Sequence, residues 1–246
     1  MPSSSHRPRK RFGQHFLHDP RVLARIVDAV SPSASDFLVE IGPGEGALTG
    51  PLIERAGKLE AIELDRDLAS GLAGRFPPFK LTVHCADALE FDFARFPAGM
   101  RLVGNLPYNI STPLLFHLGR YAGRVRDMHF MLQLEVVERM VAAPSTAEYG
   151  RLSVALQARF AMQKLFRVPR GAFRPSPKVE SAVVRLTPLA QPLHVDEELL
   201  RKAFSARRKQ LRNALPEVDF ARAGIDPQLR PENLSPQDYA RLSSSG

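Results

Sequence analysis

The chain has 246 residues, 44% of them hydrophobic, which is enough for one full-sized α/β domain and a small second domain. Its single cysteine, Cys85, excludes an intrachain disulfide, and no apolar segment approaches the ~20 residues needed to cross a bilayer. The 34 Lys and Arg residues outnumber the 26 Asp and Glu residues, and the formal net charge of +8 favours a polyanionic partner such as nucleic acid or a membrane surface.

The N-terminal segment MPSSSHRPRKRFGQHFL is basic and lacks the apolar stretch of a secretory signal, so we expect a cytoplasmic protein. A short organelle transit peptide is the alternative, because the segment contains Ser and Arg and no acidic residue. His15 and His18 lie close together but have no further ligands at the spacing of a zinc site. We therefore expect no bound metal.

From about residue 37 onward, short apolar segments alternate with helix-like segments, which predicts a doubly wound, mainly parallel α/β sheet. The predicted strands are residues 37–42, 58–65, 80–87, 101–108, 128–133 and 179–186. The predicted helices are residues 49–57, 67–76, 112–121, 133–143 and 149–160. The last strand would complete the sheet.

Residues 187–198 contain two prolines and no periodicity, so they indicate a linker. We assign residues 1–188 to the α/β domain with its basic N-terminal arm, and residues 189–246 to a small helical domain. In that domain a single helix is predicted to bury one apolar stripe and expose cations beside it. The stripe contains Leu200, Phe204, Leu211 and Leu215, and the cations are Arg201, Arg208, Lys209 and Arg212. Ser235 followed by Pro236 predicts the start of a final helix.

The first predicted strand runs into the glycine turn Gly42-Pro-Gly-Glu-Gly-Ala, at the sheet edge where α/β proteins bind ligands. Glu63 ends the second strand, and its carboxylate can accept hydrogen bonds from both hydroxyls of a ribose. Asp87 ends the third strand, where it can bind the amino group of an adenine. These features fit S-adenosylmethionine and a nicotinamide dinucleotide equally well, and a glycine turn without a ligand is a third interpretation.

The fourth strand ends in Asn105-Leu106-Pro107-Tyr108, a sequence suited to methylating a planar exocyclic amine. The N6 amine of adenine is a poor nucleophile because its lone pair is delocalised into the ring. The Asn105 side-chain oxygen and the Leu106 carbonyl can accept hydrogen bonds from its protons, while Pro107 restrains Leu106. Tyr108 can stack on the base. An isolated tetrapeptide of this kind is more often a turn with a half-buried tyrosine, but its place after the fourth strand favours methyl transfer.

Several motifs in one order make the chain resemble the ribosomal RNA adenine dimethyltransferase family. The motifs are residues 9–17, 39–49, 62–69, 104–118, 127–140, 149–154, 173–186 and 203–215. The resemblance implies a Rossmann-like S-adenosylmethionine-dependent methyltransferase sheet with a small C-terminal helical domain. It also implies dimethylation of N6 in two adjacent adenines near the 3′ end of small-subunit (16S) rRNA, during ribosome assembly.

The resemblance further implies the roles of individual residues. The cofactor contacts would be His15, Leu17, Gly42, Glu63, Asp87 and Asn105. The target-base residues would be Asn105, Leu106, Pro107 and Tyr108, with Phe173 as a second stacking face. The family usually has asparagine at the position of His15, so this contact departs from the family pattern.

A target adenine must leave its stack to reach such a site, and the surrounding RNA must be held by cations. Two clusters of Lys and Arg residues could supply these cations, although one such cluster alone is typical of a solvated protein surface. The clusters are Arg7, Arg9, Lys10 and Arg11 in the N-terminal arm, and Arg207, Arg208, Lys209 and Arg212 in the small domain. The expected partner is the assembling small ribosomal subunit and not a membrane, with a monomeric protein as the default.

Three other functions compete with this interpretation. A relative that methylates an adenine of large-subunit rRNA and confers macrolide resistance would share the cofactor motifs and a similar tetrapeptide. A non-catalytic assembly or transcription factor could have the same fold, but here neither the tetrapeptide nor the glycine turn is altered. A nicotinamide-dependent dehydrogenase fits the glycine turn but gives residues 105–108 no role.

Overall fold

The structure, a computed structural model, describes residues 15–244. Its strands are β1 (Phe16–Leu17), β2 (Leu38–Ile41), β3 (Leu59–Glu63), β4 (Leu81–Cys85), β5 (Met100–Asn105), β6 (Val125–Gln133), β7 (Phe160–Val168), β8 (Phe173–Arg174) and β9 (Ser181–Pro188). Its α-helices are α1 (Pro20–Val30), α2 (Thr49–Ala56), α3 (Arg66–Ala73), α4 (Ser111–Gly119), α5 (Leu134–Val141), α6 (Arg151–Gln157), α7 (Glu197–Ser205), α8 (Leu211–Ala214), α9 (Phe220–Ala223) and α10 (Pro236–Ser243). The predicted cations Arg7, Arg9, Lys10 and Arg11 lie outside the described residues.

Seven strands form one sheet in the order β4-β3-β2-β5-β6-β9-β7. The five strands from β2 to β6 are parallel neighbours, whereas β9 runs antiparallel to β6. The chain moves outward from β2 to β4 and then returns to β5 on the other side of β2. Ligands of open α/β sheets bind at the carboxyl ends of the strands at such a reversal. The predicted α/β sheet is therefore confirmed.

Local sequence explains how the first helix and the final helix begin. The Asp19 side chain accepts hydrogen bonds from the backbone of Arg21 and Val22, and Pro20 occupies the first turn of α1. Ser235 caps α10, accepting a hydrogen bond from the Asp238 N–H at 3.2 Å, as the sequence predicts. No sequence pattern predicted α1, α9, β1, β7 or β8.

The prediction of one continuous helix through residues 200–215 is wrong. Helix α7 ends at Ser205, and a turn in which Lys209 donates its backbone N–H to the Ala206 carbonyl precedes α8. Leu200, Leu211 and Leu215 are nevertheless all buried. The bend lets the apolar stripe reach the core without helical periodicity across the whole segment.

The described residues divide into two compact units. One unit contains the chain up to Leu134 together with Lys164–Leu186, and the other contains Glu135–Gln163 and the chain from Thr187 onward. The sequence-based boundary at residue 188 lies close to the return of the chain at Thr187, whereas residues 135–163 cluster with the C-terminal helices. The functional division at residue 188 stays a prediction.

Candidate active site

A cavity lies at the carboxyl ends of the central strands, within the first unit. Nine of the residues selected from the sequence line it: His15, Leu17, Gly42, Glu63, Asp87, Asn105, Leu106, Pro107 and Tyr108. Segments that are far apart in the chain therefore meet at the predicted end of the sheet. The tenth residue, Phe173, is not among the lining residues.

The glycine turn after β2 forms one wall of the cavity. Gly42, Gly44 and Gly46 have φ angles of +67°, +57° and +78°, a region that favours glycine. A Cβ atom on Gly44 would lie 3.0 Å from the Phe16 ring, so the absent side chain also leaves room for β1. The Gly42 N–H donates to the Ile62 carbonyl at 2.9 Å, which fixes the start of the turn to β3.

Two backbone groups orient the Glu63 carboxylate. Its Oε2 accepts a hydrogen bond from the Gly44 N–H at 3.0 Å, and its Oε1 accepts one from the Asp65 N–H at 2.9 Å. Burial raises the pKa of Glu63, an effect that these hydrogen bonds oppose. Each oxygen keeps a further lone pair, so the carboxylate can accept the two hydroxyl protons of a ribose.

The charge of the cavity distinguishes the two cofactors that the glycine turn allows. Four acidic residues line it, namely Glu40, Glu45, Glu63 and Asp87, and the lining among the described residues contains no Lys or Arg. Acidic walls favour a ligand with a sulfonium and an ammonium group, and they disfavour the pyrophosphate of a dinucleotide. The residues present therefore fit S-adenosylmethionine.

Glu40 is an acidic group of this site that the sequence analysis did not select. It is 2% exposed, and the Thr49 hydroxyl donates to its Oε2 at 2.6 Å. Burial raises the pKa of Glu40 to about 7, and the nearby Glu63 carboxylate acts in the same direction. A carboxylate within the apolar strand Leu38–Ile41 is the signal that could have identified it.

Asn105 ends β5 with its amide in a defined orientation. The side-chain Nδ2 donates to the His15 carbonyl at 2.9 Å, which leaves Oδ1 as the acceptor. The backbone N–H of Leu106 donates to the Met131 carbonyl at 3.1 Å, and the Leu106 side chain is buried. These bonds fix the Asn105 side-chain amide and the peptide unit that joins Asn105 to Leu106.

Tyr108 is only partly buried and lines the cavity. Its hydroxyl forms a hydrogen bond of 2.6 Å with the Ser181 hydroxyl, and its ring stacks on His15 with the centroids 5.4 Å apart. Burial raises the pKa of Tyr108, so its hydroxyl stays protonated at neutral pH. Ser181 lies 73 positions away in the sequence, so no local pattern could have identified it.

Phe173 lies in β8, which pairs with β1 so that Phe173 is opposite Leu17. It is 2% exposed and belongs to the main hydrophobic cluster. The structure therefore places Phe173 in this cluster beside β1 and does not place it among the residues that line the cavity.

The four cations predicted in the small domain differ in their surroundings. Arg207 forms an ion pair of 3.2 Å with Glu232 and donates to the Ala147 carbonyl at 2.9 Å. Arg208, Lys209 and Arg212 are exposed, and none of their side chains has a hydrogen bond or ion pair within the described part of the chain. These three cations are available to a ligand, whereas Arg207 already has partners.

No helix between residues 15 and 244 is both long and apolar enough to cross a bilayer. In the same range, no cluster of three or more His, Cys, Asp and Glu side chains is arranged to hold a metal ion.

A sheet of this order with an acidic cavity at its point of reversal is that of an S-adenosylmethionine-dependent methyltransferase. Residues 5–245 match the model of the family described as ribosomal RNA adenine dimethylase, and the chain belongs to this family. It is 57% identical over 251 residues to a ribosomal RNA small subunit methyltransferase A of Aromatoleum aromaticum, covering 98% of this chain and 95% of that one. It is also 57% identical over 249 residues to the protein of that name from Thiobacillus denitrificans, covering 97% of this chain and 98% of that one.

Solved structures show the same architecture. A dimethyladenosine transferase from Plasmodium falciparum superposes with a TM-score of 0.80 and 27% identity, covering 93% of this chain and 96% of the other. The 23S rRNA methyltransferase ErmE gives a TM-score of 0.71 and 26% identity, covering 93% and 98% of the two chains. Because both kinds of enzyme match, the fold alone does not distinguish their RNA targets.

Proposed function

We propose that this protein transfers methyl groups from S-adenosylmethionine to N6 of two adjacent adenines near the 3′ end of small-subunit (16S) rRNA during ribosome assembly. The product would be N6,N6-dimethyladenosine. The observation that carries this proposal is the orientation of Asn105, whose amide nitrogen is engaged by the His15 carbonyl. Its oxygen is thereby left to accept a proton of an adenine amine.

The chemistry requires alignment more than acid or base catalysis. When bound, S-adenosylmethionine supplies the methyl group as a sulfonium, which is already electrophilic. The Asn105 oxygen and the Leu106 carbonyl accept the two N6 protons and so disfavour delocalisation of the lone pair. Tyr108 stacks on the base and aligns N6 for in-line attack. N6 would exchange one proton for the methyl group, with the proton passing to water and the cofactor leaving as a neutral thioether.

Two acceptors at one amine also permit a second transfer. After the first methylation N6 keeps one N–H, and either the Asn105 oxygen or the Leu106 carbonyl can accept it. Neither acceptor needs to move: the bond to His15 holds the Asn105 amide, while the bond from the Leu106 N–H to Met131 and the following Pro107 restrain the Leu106 backbone. The same site can therefore dimethylate an adenine, provided that the monomethylated base can rebind.

The small-subunit target is supported by the relatives of 57% identity, whose names specify the small subunit. The exposed cations Arg208, Lys209 and Arg212 would bind the phosphate backbone, as would Arg7, Arg9, Lys10 and Arg11 of the N-terminal arm. Ribosomal RNA is modified in the cytoplasm of bacteria, so we propose that location. A monomer is the simplest oligomeric state for this protein, and we propose it.

The test compares Asn105→Ala with Gln228→Ala, which removes an exposed amide in the other unit. We expect Asn105→Ala to lower the rate of methyl transfer to unmodified small subunits at least 100-fold, on the order of the loss of one well-placed polar group in a transition state. Gln228→Ala should match the wild type. Equal rates in both variants would contradict the role of Asn105, and label found only in large-subunit RNA would favour the resistance-enzyme alternative.

A further inference from the structure

Two residues outside the Asn105–Tyr108 motif hold the Tyr108 ring. The Ser181 hydroxyl fixes the phenol oxygen through a bond of 2.6 Å. The His15 imidazole stacks on the ring with centroids 5.4 Å apart and an interplanar angle of 30°, an arrangement within the favourable range for aromatic pairs. One face of Tyr108 is therefore covered by a side chain of the protein itself.

Two hydrogen bonds fix the position of His15. Its backbone carbonyl accepts the hydrogen bond from Asn105 Nδ2, and its ring Nδ1 lies 2.8 Å from the Pro175 carbonyl. A carbonyl oxygen only accepts hydrogen bonds, so Nδ1 carries the proton and donates it. The backbone carbonyl of His15 thus binds Asn105, while its imidazole packs on Tyr108. Substitutions of the His15 side chain therefore alter the stacking on Tyr108 and leave the carbonyl that binds Asn105.

The other aromatic residue predicted near the target base is not available for stacking. Phe173 is buried in the main hydrophobic cluster and does not line the cavity. Tyr108, by contrast, lines the cavity and is only partly buried. A base entering the cavity can therefore use the Tyr108 face that is not covered by His15.

We propose that His15 and Ser181 are positioning residues that hold Tyr108 from one side, so that the target adenine stacks on the opposite face of its ring. This inference rests on the proposed methyl transfer to adenine. It gives the His15 side chain a role toward the base and not toward the cofactor.

The test uses His15→Ala, which removes the imidazole, and His15→Phe, which keeps an aromatic ring without Nδ1. His18→Ala removes an exposed imidazole three residues away and is the matched control. Loss of an aromatic pair should lower kcat for small-subunit RNA by roughly two- to tenfold in His15→Ala, with the Kd for S-adenosylmethionine unchanged. His15→Phe should recover most of this loss, and His18→Ala should behave as the wild type.

A second measurement reports on the ring itself. The chain has four tyrosines and no tryptophan, so labelling with 3-fluorotyrosine gives a simple 19F NMR spectrum in which Tyr108→Phe identifies the signal of Tyr108. That signal should shift in His15→Ala and in Ser181→Ala, and it should stay in place in His18→Ala. The spectrum needs no substrate, so it tests whether His15 and Ser181 hold the Tyr108 ring even if the proposed function fails.

Three results would overturn the inference. An unchanged Tyr108 signal in His15→Ala would show that the imidazole does not hold the ring. A weaker Kd for S-adenosylmethionine in both His15 variants would make His15 a cofactor contact. A faster reaction in His15→Ala would show that the imidazole occupies the place of the base. If wild-type protein methylates no ribosomal RNA, the proposed function fails separately.

Discussion

Glu40 shows most clearly how a single residue can be placed for function at a cost in stability. Its carboxyl group is 2% exposed and has one hydrogen-bond donor, Thr49, within the described residues. An ionised carboxylate in such surroundings is unfavourable unless a cation lies nearby. A bound cationic cofactor would provide that cation beside the glycine turn.

This placement predicts how stability depends on pH. The pKa of Glu40 rises from 4.5 to about 7 on folding. Between these values the unfolded chain has lost the proton that the folded chain keeps, so the free energy of unfolding falls as pH rises through this window. Glu40→Gln removes the titration and keeps an acceptor for Thr49.

We therefore expect the free energy of unfolding of Glu40→Gln, measured relative to the wild type, to increase by about 2 kcal/mol as the pH rises from 5 to 8. The figure follows from ~1.4 kcal/mol for each unit by which a pKa shifts. Denaturant unfolding of both proteins at several pH values measures this difference. A difference that is constant across the range would contradict the burial of an ionisable Glu40.

Among the individual site residues, the sequence predicted those that lie in local motifs. Glu63 and Asn105 follow directly from their positions at strand ends, and both line the cavity. Ser181 and the stacking of His15 on Tyr108 could not be predicted, because they depend on contacts between distant segments. The burial of Phe173 could not be predicted for the same reason, since it depends on the pairing of β8 with β1.

Among the secondary-structure elements, the close approach of β5 to β2 determines where Asn105 stands. A Cβ atom on Gly104 would lie only 2.3 Å from the Ile41 carbonyl oxygen, which belongs to the neighbouring backbone. The absence of a side chain at Gly104 lets the two strands pair directly at the switch point of the sheet.

Gly104→Ala should therefore lower the free energy of unfolding by about 3 kcal/mol or more, because backbone and not a flexible side chain must move. Gly71→Ala is the matched control: it lies in α3, and no atom comes within 4 Å of the added Cβ. That change should be neutral or stabilise by roughly 0.5–1 kcal/mol. Equal effects in chemical denaturation would contradict the close approach of β2 and β5.

A buried ion cluster joins the opposite end of β5 to α1 and β6. The Arg101 guanidinium donates to Asp127 at 2.9 Å, to Asp36 at 2.7 Å and to the Val30 carbonyl at 2.6 Å. Arg101→Met would leave two buried carboxylates without this cation, and we expect a loss of about 3–5 kcal/mol in the free energy of unfolding.

Arg126→Ala provides the control for this cluster, because Arg126 pairs with the same Asp36 at 2.8 Å but its side chain is 62% exposed. Its removal should cost at most about 1 kcal/mol. Thermal unfolding of the two variants measures both losses of stability. Comparable losses in Arg101→Met and Arg126→Ala would argue against a buried ion cluster around Arg101.

The elements with strong apolar segments were predictable, and the edge of the sheet was not. Strands β2 to β6 are mostly apolar and match the predicted ranges, except that β5 begins at Met100 and β6 at Val125, before the predicted starts at residues 101 and 128. Strand β7 carries Lys164 and Arg167, which interrupt the alternation on which a strand prediction depends. As an edge strand it has fewer buried positions, so its sequence is less constrained.

For the whole molecule, the excess of positive charge is a property that the RNA partner should use. Arg208, Lys209 and Arg212 are exposed without partners in the described residues, whereas Arg207 is engaged by Glu232. Composition predicted a polyanionic ligand, but only the three-dimensional structure separates cations that are free to bind phosphate from one that holds a loop in place.

Replacing Arg208, Lys209 and Arg212 together with Ala should weaken binding to small-subunit RNA and reduce the slope of log K against log salt by roughly 2 to 3. Thermal stability should be nearly unchanged. Arg207→Ala should instead lower stability, because Glu232 and the Ala147 carbonyl lose their partner. Binding titrations at several salt concentrations measure the slope, and an unchanged slope in the triple variant would place the RNA elsewhere.

The most direct test of the account is nucleoside analysis of small-subunit RNA after incubation of unmodified subunits with the protein and methyl-labelled S-adenosylmethionine. We predict label in N6,N6-dimethyladenosine near the 3′ end of this RNA, and its loss with Asn105→Ala. Binding of the cofactor without methyl transfer to small-subunit RNA, or label on an atom other than adenine N6, would contradict the assignment of this cavity.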